Sequence, residues 1–312
     1  MLDLTNKKIG VTGGRGFLGS HLIEALQKYG VSKGDIISPS SKEVDLTDIE
    51  QTYNFIEQVD IVIHLAANVG GILYNKKFPG DLLSQNLQMA LNVINACKDL
   101  KIEKLVNTGT TCMFPANATI PFKEEEIFYG YPADVTAPYG ISKIVLFELS
   151  KAYKKQFDFN SINLIPVNLY GPKDHFQGEN THVVPALIDR FYKAKINGLE
   201  TVEIWGTGIA TREFLFAEDA AEGFIKALLH YEDTSPVNLG TGTETSIKSL
   251  VELIREIIGY DGEIIWDSSK PDGTLRRCVD VQKAEERFNF KAETSLKTGL
   301  EKTIDWYLKN YV

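Results

Sequence analysis

Lys8-Ile9-Gly10-Val11-Thr12-Gly13-Gly14-Arg15-Gly16-Phe17-Leu18-Gly19 is the stretch that decides the fold of this 312-residue chain. A short apolar run reads as a buried strand, and glycines follow at every third position. From Phe17 to Tyr29 the apolar residues Leu18, Leu22, Ala25 and Leu26 recur on one face of a helix. Glycines at a strand-to-helix junction permit a tight turn and let backbone approach a pyrophosphate seated on the helix N-terminus. A glycine-rich loop says little alone, because loops are glycine-rich anyway. Placed between strand and amphipathic helix, it predicts a dinucleotide cradle made of Gly13, Gly14, Arg15, Gly16, Phe17, Leu18 and Gly19.

Working outward, Asp35–Ser38, Asp60–Leu65, Lys104–Thr108 and Ser161–Pro166 read as further strands, with long helical patterns at about 80–100 and 138–157. Strands alternating with helices over short connections predict an α/β fold, a Rossmann-type doubly wound parallel sheet. After Gly171-Pro172 the rhythm becomes mixed, with turn signals at Gly206-Thr207-Gly208, Gly240-Thr241-Gly242 and Pro271-Asp272-Gly273. The expected organisation is a nucleotide-binding domain over 1–170 and a smaller mixed α/β substrate domain over 171–312, segments near 214–242 returning to the first.

Composition narrows the function. Hydrophobic residues are 43% and charged residues 24%, as in ordinary globular proteins. A formal charge of −9 argues against a nucleic-acid partner, so any anionic ligand must be held by local donors. Cys97, Cys112 and Cys278 form no Cys-x-x-Cys pair and offer no metal framework. The N-terminus lacks a signal-peptide core and no run approaches a membrane span, so a cytoplasmic protein without a membrane partner is expected.

Two further signals carry chemistry. A carboxylate ending the second strand would grip the 2′-hydroxyl of NAD, but Ser38-Pro39-Ser40-Ser41-Lys42 contains none and Arg15 stands in the turn, which favours NADP. Arg15 is otherwise a solvated cation, and Asp45 either reaches the adenine or caps the following helix. Tyr139 and Lys143, four apart, share one helical face. An adjacent ammonium favours the phenolate, and lowering a tyrosine pKa by about three units takes about 4 kcal/mol. Such pairs are usually surface accidents; this one lies downstream of the nucleotide turn and of Thr108-Gly109-Thr110-Thr111-Cys112. In an extended segment Thr110 and Cys112 face the same way and can look into one cleft.

Together with Leu65-Ala66-Ala67-Asn68-Val69-Gly70-Gly71-Ile72, Asn168-Leu169-Tyr170-Gly171-Pro172, His182–Leu187, Trp205–Gly208, Arg212–Leu215 and Lys270–Thr274, these motifs resemble the GDP-L-fucose synthase family of extended short-chain dehydrogenase/reductases. The Gly-x-x-Gly-x-x-Gly spacing fits that class, and the resemblance runs from about residue 8 to 290. It implies NADPH-dependent conversion of GDP-4-keto-6-deoxy-D-mannose to GDP-L-fucose. A C4 ketone acidifies C3 and C5, so a base and an acid on opposite faces invert each centre before C4 is reduced.

By motif position the resemblance makes Cys112 the base, His182 the acid, Tyr139 the proton donor to the C4 oxygen and Lys143 the residue that holds the nicotinamide ribose. It assigns Asp45, Leu65, Ala66, Ala67, Thr108, Pro166, Asn168, Leu169 and His182 to the cofactor, and Asn168, Arg190, Trp205, Arg212 and Asp272 to the GDP-sugar. Thr110 replaces the usual serine; its hydroxyl can still meet the C4 carbonyl, but the extra methyl narrows the pocket. Apart from the resemblance, Cys112 is a buried inert thiol and His182 structural. Arg276 and Arg277 either join the Arg cluster or are solvated surface. The helices near 80–100 and 138–157 form a homodimer contact in this family. The alternatives are a reductase or epimerase-reductase of another GDP-keto sugar such as a heptose, and a non-catalytic NADP-binding regulator.

Overall fold

Six parallel strands in the order β10-β5-β4-β3-β1-β2 build the central sheet of the computed structural model, which describes residues 2–178, 181–270 and 272–312. They are β1 (Ile9–Thr12), β2 (Ile36–Ile37), β3 (Ile61–His64), β4 (Lys104–Thr108), β5 (Ser161–Pro166) and, far along the chain, β10 (Val237–Leu239). Strands β1 and β3 are buried along their whole length, the pattern of a parallel sheet covered on both faces. The covering helices are α1 (Phe17–Lys28), α2 (Ile49–Ile56), the short α3 (Ile72–Lys77), α4 (Pro79–Asp99), α5 (Ala137–Phe157) and α7 (Ala217–His230). The chain moves outward from β1 to β2 and crosses back to β3. That reversal opens a crevice above the carboxyl ends of β1 and β3, where α/β sheets bind ligands.

A second apolar cluster gathers around Phe191, Ile204, Phe216, Leu250, Ile254 and Tyr307. It is built from β6 (Asn168–Tyr170), α6 (Val183–Ile196), β7 (Thr201–Trp205), β8 (Thr211–Arg212), β9 (Phe214–Phe216), β11 (Thr245–Ser246), α8 (Ile247–Ile258) and β12 (Glu263–Asp267). The helices α9 (Gln282–Phe288) and α10 (Leu296–Asn310) follow. Three two-stranded sheets stand here: β6 with β9 and β7 with β12, both parallel, and β8 with β11, antiparallel. After β9 the chain recrosses, packs α7 against α1 and adds β10 beside β5.

Local chemistry changes several boundaries. Asp35 closes a 3-10 turn over Lys33–Asp35, so the second strand shrinks from the expected Asp35–Ser38 to Ile36–Ile37. Asp48, not Asp45, caps α2, its carboxylate accepting from the Gln51 backbone N–H at 3.1 Å. Asp45 turns back on its own loop, accepting from Thr47 N at 2.9 Å and Thr47 Oγ1 at 2.8 Å, which removes it from the helix end. Pro271, in the expected turn Pro271-Asp272-Gly273, lies outside the described residues. Among the described residues no helix is long and apolar enough to cross a membrane.

Lys104 ties the two passes of the chain together. Its buried ammonium donates to the carbonyls of Leu228 at 2.7 Å and Tyr231 at 2.5 Å, orphan acceptors at the C-terminal end of α7. Replacing Lys104 with Met removes both donors from buried carbonyls and should cost about 2–4 kcal/mol in urea denaturation. Burial lowers the Lys104 pKa from 10.5 to about 8, so between those values the unfolded chain binds more protons and stability through this group rises with pH. The stability gap between the native protein and Lys104→Met should therefore widen from about pH 8 to 10.5.

Candidate active site

Steric demands at the β1–α1 junction identify it as a cradle. A Cβ at Gly13, where φ is +69°, would stand 2.9 Å from the backbone N of Ala66. One at Gly14 would meet the Ser38 hydroxyl at 2.2 Å, and one at Gly19 the Gly13 carbonyl at 2.3 Å. Gly16 is the N-cap of α1 with no side-chain cap, and the first turn carries no acid. Free N–H groups and the positive helix end are thus open to an anion. A dinucleotide pyrophosphate fits this surface.

Arg15 and the segment after β2 sit beside the cradle. The guanidinium donates to the Ser38 carbonyl at 3.2 Å and pairs with Glu43 at 2.8 Å, both partners exposed. Glu43 lies one residue beyond the acid-free stretch read from the sequence, so Arg15 is tethered rather than freely solvated. An exposed pair of this kind is worth about 0–1 kcal/mol, little enough for an incoming phosphate to displace.

Under the crevice, Thr12 Oγ1 and His64 Nδ1 share a buried 2.8 Å hydrogen bond, and the Ala66 N–H donates to the same Thr12 oxygen at 3.2 Å. This fixes Leu65, Ala66 and Ala67 at the end of β3. Burial, and after it the nearby Lys143 charge, pushes the His64 pKa down to about 3, so the imidazole is neutral. Thr108, at the end of β4, carries a buried hydroxyl without a partner among the described residues.

Cys112 and Tyr139 come together through glycine. Residues Thr111–Met113 form a 3-10 turn, so the alternation expected of an extended Thr110–Cys112 segment ends at Thr110. Thr110 instead caps that turn, its hydroxyl accepting from the Cys112 N–H at 3.2 Å. A Cβ at Gly140 of α5 would lie 2.3 Å from the Cys112 carbonyl, so only glycine lets the first turn of α5 press onto this loop. Tyr139, next to Gly140, is thereby held against the loop that carries Cys112.

The expected depression of the Tyr139 pKa by Lys143 does not occur. Lys143 Nζ lies over the ring, 5.9 Å from its centroid, and burial, with Cys112 adding to it, drives the phenol pKa upward. Burial also lowers the Lys143 ammonium to about 8. With its own pKa lowered, Lys143 is neutral before the phenol ionises and offers the phenolate no charge. The result is a phenol that stays protonated throughout the neutral range.

The remaining predicted residues divide into two groups. Arg190 and Trp205 line a cavity of about 680 Å³ with Phe176 and Thr181, Arg190 donating to the Glu203 carbonyl at 2.7 Å. Arg212 donates to the carbonyls of Thr211 and Thr274, both at 2.7 Å. Asp272 accepts from Thr207 N and Oγ1, both at 2.7 Å, and holds the Gly206–Thr207 turn. His182 is the N-cap of α6; its rim is exposed, yet enough protein crowds it that desolvation, and then His175, lower its pKa. Asn168 donates to the Glu213 carbonyl at 2.9 Å, while Pro166 and Leu169 flank the β5–β6 step.

Two residues here were not selected from the sequence. Glu213 is buried and accepts from Thr241 N at 2.5 Å, Gly242 N at 2.7 Å and Val279 N at 2.9 Å, holding two distant backbone segments to β9's approach. Arg277, which sequence alone leaves between cluster and surface, reaches Cys112, with Nη1 3.9 Å from Sγ. Its place beside the conspicuous Arg276 was the only signal, and Arg276 points elsewhere, to Glu244 at 2.5 Å.

Residues 9–240, which span the cradle, the thiol–phenol pair and β10, match the model of the NAD dependent epimerase/dehydratase family. The chain belongs to this family. It is 39% identical to the probable GDP-L-fucose synthase 1 of Oryza sativa subsp. japonica, over 98% of this chain and 93% of that one. It is 34% identical to the GDP-L-fucose synthase of Escherichia coli, with 98% of each covered. Among solved structures, a GDP-6-OMe-4-keto-L-xylo-heptose reductase from C. jejuni superposes with a TM-score of 0.92 at 29% identity over 98% of both chains. A GDP-L-fucose synthetase from Naegleria fowleri bound to NADP gives 0.91 at 28%, covering 100% of this chain and 95% of that one.

Because the Gly13 carbonyl cannot retreat, Gly19→Ala should weaken NADPH binding at least about tenfold in a fluorescence titration while circular dichroism stays native. Undiminished affinity would show that the cofactor sits elsewhere.

Proposed function

We propose that this protein is an NADPH-dependent 3,5-epimerase and 4-reductase of a GDP-4-keto-6-deoxy sugar, converting GDP-4-keto-6-deoxy-D-mannose to GDP-L-fucose. One observation carries the reading: Gly140 lets the first turn of α5, which bears Tyr139, press onto the loop that carries Cys112 at the carboxyl edge of the sheet. An acid for the C4 oxygen and a base for the neighbouring carbons then share one pocket. The likeness to GDP-L-fucose synthases over nearly the whole chain supports the substrate.

In this mechanism Cys112, as thiolate, takes the proton from C3, releases it to solvent and then takes the proton from C5, the electron pair each time moving onto the C4 carbonyl to give an enolate. His182, as imidazolium, returns a proton to the opposite face, inverting the centre. The Thr110 hydroxyl accepts from Cys112 N, leaving its own proton to donate to the C4 oxygen. Each positioned proton transfer contributes about 10² to 10⁴ in rate. Bound NADPH supplies hydride to C4. Tyr139 delivers the proton to the resulting oxyanion, and the raised pKa of its phenol keeps that proton available. Lys143 holds the nicotinamide ribose.

The α1 N-terminus and glycine turn hold the pyrophosphate, Leu65–Ala67, Thr108, Pro166, Asn168 and Leu169 line the remaining cofactor path, and Arg15 exchanges Glu43 for the 2′-phosphate. Arg190 and Trp205 take the nucleotide end of the GDP-sugar, and Arg212 its diphosphate. The protein acts in the cytoplasm as a homodimer through α4 and α5, which leave Leu91, Val145 and Phe157 exposed. A heptose-type GDP-keto sugar is a second reading, favoured by the likeness to the GDP-6-OMe-4-keto-L-xylo-heptose reductase from C. jejuni.

Incubation with GDP-4-keto-6-deoxy-D-mannose in D₂O without NADPH should place deuterium at C3 and C5. Cys112→Ser should suppress that exchange about 10²-fold or more while NADPH still binds. Persistent exchange at both carbons in the serine variant sinks the base assignment. Inversion needs His182 protonated, and its pKa lies below the ordinary histidine value of 6.5. Inversion should accordingly decline as pH rises through that lowered value, and His182→Asn should abolish the dependence.

A further inference from the structure

We propose that Arg277 tunes the reaction by holding Cys112 as a thiolate, so that the basicity of the thiol in one half of the molecule is set by a guanidinium delivered from the other. This rests on the reading of Cys112 as the base and adds a positioning residue to it. Arg277 Nη1 lies 3.9 Å from Cys112 Sγ, and its Nη2 lies 3.5 Å from the Thr274 hydroxyl. A cation at this range stabilises a thiolate over a thiol.

The guanidinium is free to act on sulfur because no carboxylate takes it. Its neighbour Arg276 is committed to Glu244, and among the described residues Arg277 has no ion pair. The charged and titratable groups around the thiol are the protonated Tyr139 from α5, Arg277 itself and, behind it, Arg212 with Asp272. Of these only Asp272 is a carboxylate, and its oxygens accept from Thr207. The other two cysteines differ: Cys97 and Cys278 are buried, and burial drives both thiols upward, Cys278 to about 12 despite the nearby Arg276 charge. Cys112 is only half-buried and has a guanidinium nitrogen directed at its sulfur.

Arg277 is also held in place. Asp272 anchors the start of its segment to Thr207, and the Leu275 carbonyl accepts from Thr211 N at 2.8 Å. On the far side Cys278 O accepts from Phe122 N at 2.8 Å, and Val279 N donates to buried Glu213 at 2.9 Å. The backbone of segment 272–279 is pinned at both ends, so the fold fixes where the Arg277 side chain starts, and its guanidinium bridges Thr274 and Cys112.

The test is iodoacetamide alkylation of Cys112 against pH, followed by peptide mass mapping, in the native protein, Arg277→Ala and Arg277→Lys. Deuterium exchange into GDP-4-keto-6-deoxy-D-mannose is measured in parallel. Arg277→Ala should move the alkylation profile up by about 1–3 pH units and slow exchange at neutral pH about tenfold or more. Arg277→Lys should restore most of both. A profile that does not move, or a loss confined to KM for the GDP-sugar, overturns the proposal and makes Arg277 a diphosphate contact instead. NADPH titration confirms that each variant is folded; should Arg277→Ala fail it, Arg277→Gln gives the same comparison. Exchange that survives in Cys112→Ser would refute the base assignment, whereas the alkylation shift judges Arg277 independently of it.

Discussion

The contact between Gly140 and the Cys112 carbonyl is the constraint on which the site depends. Helix α5 crosses the end of β4 so closely that a methyl group at residue 140 would lie 2.3 Å from that carbonyl. Gly109 serves the same purpose just beyond β4, where a Cβ would meet the Phe147 ring at 2.6 Å and the Met113 sulfur at 2.8 Å. Main chain packed this tightly has no room to relax, so the phenol on the helix and the thiol on the loop keep one relative position. The dinucleotide cradle follows the same logic: Gly13, Gly14 and Gly19 are spaces kept empty so that loop, helix and ligand can approach.

Inside this frame burial dominates over charge. Tyr139 is raised, while Lys143 and His64 are both lowered toward neutrality, because water has been removed without a paired opposite charge being supplied. The floor of the crevice is thereby rich in hydrogen-bonding groups and poor in charge. Full positive charge enters from the other side, on Arg212 and Arg277, which stand near enough that Arg277 contributes to lowering the pKa of Arg212. Two close guanidinium groups in a chain of net charge −9 form a local anion trap that the overall field would otherwise oppose.

The legible stretches of the sequence were those governed by local rules. Hydrophobic runs and glycine spacing placed β1, α1, β4, α4, α5 and β5 within a residue or two, because buried parallel strands and amphipathic helices leave periodic signatures. Pairing chemistry was harder. Asp45 and Asp48 are equally good capping residues on paper, and only the observed start of α2 selects Asp48. The Tyr139–Lys143 spacing correctly put both on one helical face, but spacing does not say whether the ammonium meets the hydroxyl or the ring. Local sequence could not give Glu213 and Arg277 their roles, since their partners at Thr241, Val279 and Cys112 are 28, 66 and 165 residues away.

By itself, then, the order of residues determined the class of fold, read from periods of two to four residues, and, through the resemblance of its motifs, the family. Tertiary structure alone decided which groups touch and in which charge state they rest. Proximity across distant segments and the removal of water are properties of packing, and no short window of sequence contains them.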